Sequence, residues 1–171
     1  MCVNLQVRSG TKGKIPKMKL DNIDLQLLEL LQKDSKMNVK EIATQLNLTK
    51  TPIYERIKRF EKEGIIEKYV AVLNRKIISQ SMIVFCSVSL ESQKIDEINA
   101  FSEAVRQIPE VMECYLMGGI NDFLLKVTVK DLNAYHHFSS GKLAVLPNVG
   151  QIKSTFVLNE VKRSTVFPLL S

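Results

Sequence analysis

From Leu20 onward the chain alternates between two rhythms of apolar spacing. Ile23, Leu27, Leu30 and Leu31 fall at i, i+4, i+7 and i+8, one face of a helix ending near Lys33. Asp21 is placed to cap it, Asp24 stands three residues on, and Leu20 with Leu25 has the spacing of a hydrophobic staple. The same grammar restarts at Asn38, with Glu41 at the capping-box position and Met37 and Ile42 as the staple pair. Val39, Ile42, Ala43 and Leu46 then form the inward stripe of a short second helix. Asn47-Leu48 leaves almost no room before Thr49, the predicted cap of a third helix. Pro52 lies in that helix's first turn, where a missing N–H costs nothing. Ile53, Ile57 and Phe60 face inward, while Thr51, Glu55, Lys58 and Lys62 face outward, flanked by Tyr54 and Arg59. Gly64 ends the helix. Two helices joined by so tight a turn, the second with a basic and polar outer face, make a helix-turn-helix.

After Gly64 the period becomes two. Ile65 to Leu73 predicts a connecting strand. Beyond it the pattern predicts a strand (82–90), a helix (93–108), strands (111–117 and 122–130), a helix (132–146) and a last strand (150–161). In the third of these strands Phe123, Leu125, Val127 and Val129 alternate with Leu124, Lys126 and Thr128. The order β-α-β-β-α-β is the ferredoxin-like split unit, so the fold class is α+β. The boundaries that follow are a basic tail over 1–17, a winged-helix-like helix-turn-helix domain over 18–64, a hinge strand over 65–81 and a ferredoxin-like domain over 82–171. Apolar residues on both faces of so small a sheet imply a partner over the helix-free face.

Charge divides the chain in the same way. The whole carries 24 Lys and Arg against 18 Asp and Glu, a net of +6. Residues 1–20 hold five basic residues and no acid; residues 21–80 hold eleven and nine; residues 81–171 hold eight and nine. A basic front and a near-neutral back point to a polyanion partner for the front alone. The tail, with Ser9-Gly10, Gly13 and Pro16, reads as flexible: a natural arm, residues ahead of a start at Met18, or a cloning remnant. No window approaches 18 uninterrupted apolar residues and no signal-type run opens the chain, which argues for a cytoplasmic protein with no membrane partner. Cys2, Cys86 and Cys114 form no C-x-x-C pair and read as small buried hydrophobes.

Three stretches, LDNIDLQLLELLQKDSK, LNLTKTPIYERIKRFEKEGIIEKYVAVLN and GGINDFLLKV, in this order and spacing, resemble the Lrp/AsnC (feast/famine) family of prokaryotic transcription regulators. The likeness covers about residues 18–165. It implies homodimers built by the ferredoxin-like domains, often assembled to octamers, with amino-acid effectors between dimers. Ser35-Lys36 stands where members commonly carry Gly or Ala with Arg, and residues after Thr49 vary with the operator. The resemblance therefore leaves the DNA sequence open.

Two constellations carry the chemistry. At the third helix, the hydroxyls of Thr49 and Thr51 and the helix's first N–H groups suit phosphate or base edges of double-stranded DNA. Tyr54 flanks that face, Lys50, Lys58, Arg59 and Lys62 neutralise backbone, and Arg59 is the candidate for a guanine contact. Arg56, nearer the buried edge, reads as one half of an internal ion pair. The second is the loop Gly118-Gly119-Ile120-Asn121-Asp122. It reads at least as a hairpin turn whose glycines supply φ > 0. In the family the matching loop lines the effector pocket. There N–H groups would receive an α-carboxylate and Asp122 would accept from an α-ammonium, with Ser154 and Thr155 of the last strand facing the same space. His136 and His137 sit about 100° apart on a helix and are poorly placed to chelate one metal. Neither a metal nor a cofactor is expected beyond an amino-acid effector. A sirohaem-decarboxylase-like enzyme of the same fold is disfavoured by so few histidines, which leaves an effector-responsive regulator or a ligand-independent architectural DNA-binding protein.

Overall fold

Helix α1 (Asn22–Lys33) begins at a closed capping box: the Asp21 carboxylate accepts from the Asp24 N–H at 2.7 Å, and the Asp24 carboxylate accepts from the Asp21 N–H at 3.1 Å. Helix α2 (Val39–Gln45) uses half of the device, with Asn38 accepting from the Glu41 N–H at 2.9 Å. The turn that follows is closed by Asn47 in the left-handed conformation, φ 53°. The N–H groups of Asn47 and Leu48 donate to the carbonyls of Thr44 (3.3 Å) and Ala43 (2.9 Å), a Schellman closure. Asparagine tolerates that conformation where a β-branched residue would be strained. Helix α3 (Lys50–Lys62) stops in the same way at Gly64, φ 73°, with Gly64 and Ile65 donating to Glu61 and Phe60.

This computed structural model describes residues 19–78 and 81–169, and the basic tail read over 1–17 lies outside them. The described residues fall into two compact units. One runs up to Val70 and takes in the residues from Ser164 onward; the other spans Ala71–Arg163. The first unit is built on Leu27, Leu28, Leu31, Ile42, Ala43, Ile53 and Phe60, the inward stripes of the three helices. Each leucine, isoleucine or phenylalanine among them contributes roughly 1.5–3 kcal/mol when fully buried.

The second unit holds a short helix α4 (Arg75–Ile78), then β1 (Met82–Leu90), α5 (Ile95–Arg106), β2 (Val111–Leu116), β3 (Phe123–Val129), α6 (Leu132–Phe138) and β4 (Val149–Phe156). The strands lie in the order β2-β3-β1-β4, each neighbouring pair antiparallel. The register sets Val84 opposite Val127, Cys86 opposite Leu125 and Val88 opposite Phe123. Because strand side chains alternate, these six share a face, and they pack in one core with Phe101 and Val105 of α5 and Tyr135 and Phe138 of α6. Phe85, Leu124 and Thr128 lie on the opposite face, half-buried.

Four expectations need correction. Residues 65–74 form no strand, because within the chain their backbone finds no partner strand. The last strand ends at Phe156, not Val161. The helix expected over 132–146 stops as an α-helix at Phe138 and continues as one wider π-type turn, Ser139–Leu143, around Gly141. Cys114 is exposed, since β2 is an edge strand.

Candidate nucleic-acid interface and effector loop

The outer face of α3 is as the wheel predicted for most of its members. Thr49, Lys50, Thr51, Tyr54, Lys58 and Lys62 are all exposed. Thr49 has the backbone angles of an N-cap, yet its hydroxyl makes no capping bond, so it stays available to an outside acceptor or donor. Pro52 removes one N–H from the first turn, which leaves those of Lys50 and Thr51 to face solvent as donors. Lys58 lies 2.8 Å from Glu61 and 5.7 Å from the Tyr54 ring centroid. The Glu61 carboxylate raises the Lys58 pKa, so the ammonium stays charged across the physiological range. Lys50 and Lys62 enter no ion pair among the described residues.

Arg59 departs from this face. Its guanidinium turns inward, with Nη2 2.6 Å from the carboxylate of Asp24, a side chain only 1% exposed. It lies 3.9 Å from Glu63 on the other side. Its Nε and Nη2 are buried, which removes the fork that a guanine would need. Arg56 meets the same carboxylate in a short contact and reaches Asp21 at 2.7 Å, the internal pairing its wheel position suggested. Both guanidiniums are therefore anchored to α1. The backbone N–H of Asp24, and then Arg56, hold the Asp21 carboxyl below its ordinary pKa. Asp24 as the shared anchor was missed because its place three residues after a cap explained it already.

The loop between β2 and β3 spans six residues, 117–122, and is closed by the Met117 N–H donating to the Asp122 carbonyl at 2.8 Å. Gly64 is the one described glycine with φ in the left-handed region, so Gly118 and Gly119 do not supply the expected φ > 0. What they supply is room: a Cβ built on either meets nothing within 4 Å. Asp122 is 9% exposed and tied to β1. Its N–H donates to the Val88 carbonyl at 3.0 Å, and its Oδ2 accepts from the Leu90 N–H at 2.7 Å. The Ser89 hydroxyl donates to the Asn121 side-chain oxygen at 3.3 Å. The carboxylate read as an ammonium acceptor thus holds the loop against the sheet.

Ser154 and Thr155 do not join the loop within the chain. Adjacent on β4, they point to opposite faces: Ser154 pairs with Cys86 on the helix side and bonds the Tyr135 hydroxyl, and Thr155 pairs with Phe85. Gln151 is the β4 residue opposite Ser89, so Ser154 and Thr155 stand three and four positions farther along, about 10–13 Å. His136 and His137 have ring centroids 6.0 Å apart, and the described residues hold no group of three or more His, Cys, Asp or Glu fit for a metal. No helix among them is long and apolar enough to cross a membrane.

A recognition helix with a hydroxyl-and-lysine face, joined to a small antiparallel sheet domain, defines a two-domain DNA-binding regulator. Residues 20–67 match the winged helix-turn-helix DNA-binding family, and residues 83–167 the Lrp/AsnC ligand binding domain. The chain is 40% identical over 150 residues to the Bkd operon transcriptional regulator of Pseudomonas aeruginosa, covering 88% of this chain and 98% of that protein. It is 36% identical over 151 residues to the Leucine-responsive regulatory protein of Escherichia coli, covering 88% and 92%. A transcriptional regulator from Neisseria meningitidis in complex with L-Met superposes with TM-score 0.82 at 31% identity, over 88% of this chain and 97% of that one. The chain belongs to the Lrp/AsnC family. It is a DNA-binding transcription regulator with a ligand-binding domain, not an enzyme.

Proposed function

We propose that the protein lays the exposed face of α3 in the DNA major groove and is switched by a free amino acid held at the 118–122 loop between assembled copies. The observation that carries the DNA contact is the coincidence, on one face, of exposed lysines, two of them (Lys50 and Lys62) without an acidic partner, and hydroxyls without intramolecular bonds. Lys50, Lys58 and Lys62 neutralise phosphates. Thr49, Thr51 and Tyr54 lie where bases and sugar edges pass. Support for the amino acid comes from the relatives: one is named for leucine, and another was solved with L-Met. Gly118 and Gly119 leave bare backbone for such a ligand to approach, with Asn121 beside them; Asp122 positions the loop. Ser154 and Thr155 would serve only from a second copy.

Assembly is supported by apolar surface that a single chain leaves open. Met112, Leu116 and Ile120, on and beside the β2 edge, are 63%, 62% and 92% exposed. The hinge residues Tyr69, Val70, Val72 and Leu73 are exposed too. An open apolar edge of this kind is a surface for pairing. We read a cytoplasmic homodimer that gathers to an octamer, each dimer presenting two α3 helices to successive major-groove faces. An effector then shifts the balance of assembled forms, and with it the number of helices engaged together.

The commitment of Asp122 to β1 gives the ligand-independent architectural reading its one specific argument. A melting-temperature screen against single amino acids decides between them, with Gly119→Leu as the control, since a Cβ at that position meets nothing within 4 Å. A ligand at about 100 times its Kd adds roughly 2.7 kcal/mol. A selective shift lost in Gly119→Leu supports the pocket. No shift with any amino acid supports the architectural reading.

A further inference from the structure

The chain crosses between its two units twice, at the hinge after Val70 and again before Ser164, where the C-terminal segment rejoins the helix-turn-helix unit. We propose that the α1 flank of the helix-turn-helix domain is a peptide-docking surface whose ligand is the chain's own segment 164–169, so that the domain is held by two tethers and not by its hinge alone.

The contact has the form of specific peptide recognition. The Gln32 side chain reads one residue's backbone in both directions: its Oε1 accepts from the Phe167 N–H at 2.5 Å, and its Nε2 donates to the Phe167 carbonyl at 3.1 Å. A side-chain amide is the group suited to this, since it offers a donor and an acceptor side by side as a neighbouring strand would. Leu169, two residues on, is half-buried against the hydrophobic core of the helix-turn-helix unit. Pro168 between them biases Phe167 toward the extended conformation that the amide pairing needs, which lowers the ordering cost of docking. Ser164 shapes the approach, its hydroxyl accepting from the Val166 N–H at 3.1 Å. Phe167 itself points away, 71% exposed, so recognition runs through its backbone and through Leu169. A tethered segment docks at high effective concentration, which makes even a small contact persistent.

The test compares the full chain with Gln32→Ala and with a chain truncated after Arg163, using backbone 15N relaxation and amide exchange. In the full chain the helix-turn-helix amides should relax more slowly than in either variant, and the Phe167 amide should be protected. Both variants should show faster, independent motion of the helix-turn-helix amides, and Gln32→Ala should lose the Phe167 protection. Truncation strips Leu169 from a core and is expected to lower the domain's stability as well; Gln32→Ala leaves that core intact. Unchanged relaxation in both variants overturns the proposal. So does unfolding on truncation with no change in Gln32→Ala, which would make the segment mere core filling. Neither readout involves DNA or an effector, so the result is separate from the regulatory reading.

Discussion

Arg56 and Arg59 share a helix, a charge and nearly a face with Lys58 and Lys62, yet the two pairs do different work. The arginines close on Asp24, which is buried, and on Asp21 and Glu63 at its margins. The lysines stand in solvent, one near Glu61 and one with no acid beside it. Charge alone does not separate structural cations from solvent-facing ones; the location of the nearest buried carboxylate does. A guanidinium also suits the inner role, since its planar fork serves several acceptors at once and sheds water at less cost than an ammonium.

The comparison can be broken most forcefully at Asp24. Asp24→Ala leaves two guanidiniums facing a void and should cost the helix-turn-helix unit about 3–5 kcal/mol, read by denaturant unfolding of that unit's helical signal. A loss under 1 kcal/mol would show that the arginines hold no net charge partner there. Asp122→Ala asks the same question of the sheet unit and should cost roughly 1–3 kcal/mol, since the buried Leu90 N–H loses its acceptor. A normal unfolding midpoint would return Asp122 to the role of ligand group.

DNA binding sharpens the contrast between the lysines and Arg59. Lys58→Ala with Lys62→Ala should lower the log–log salt slope of DNA affinity by about 1.8, with stability within about 0.5 kcal/mol of the parent. Arg59→Ala should do the reverse, lowering stability with the slope unchanged. If Arg59→Ala flattens the slope instead, that side chain leaves Asp24 when DNA arrives. The smallest effect concerns pH. Folded Asp21 titrates below the ordinary aspartate value of about 3.9, so its contribution is complete above that value and fades as pH falls through the lower folded one. Asp21→Asn should remove this acid-side loss from the unfolding curve of the helix-turn-helix unit.

What was legible in the sequence was local. Asp21, Asn38 and Gly64 announce helix ends because a cap acts within one turn, and the alternation in β3 announces its faces because a strand's period is two. Arg56 was legible for the same reason, from the wheel. Arg59 was not: its partner Asp24 is thirty-five positions away and had been accounted for by its own capping box. Gln32 gave no sign at all, since a glutamine on a helix flank looks solvated until the far end of the chain returns to it. The reading that set Ser154 and Thr155 toward one space passed over alternation: neighbours on a strand point to opposite faces, and within the chain neither reaches the 118–122 loop.

The open β2 edge has one more consequence, for any thermodynamic number measured on this protein. If the folded chain covers that edge only by meeting another copy, its melting temperature is a function of protein concentration. Stability at micromolar levels in a cuvette and at the copy number of a cell are then different quantities. A regulator built this way senses its own abundance through mass action, before any effector is added.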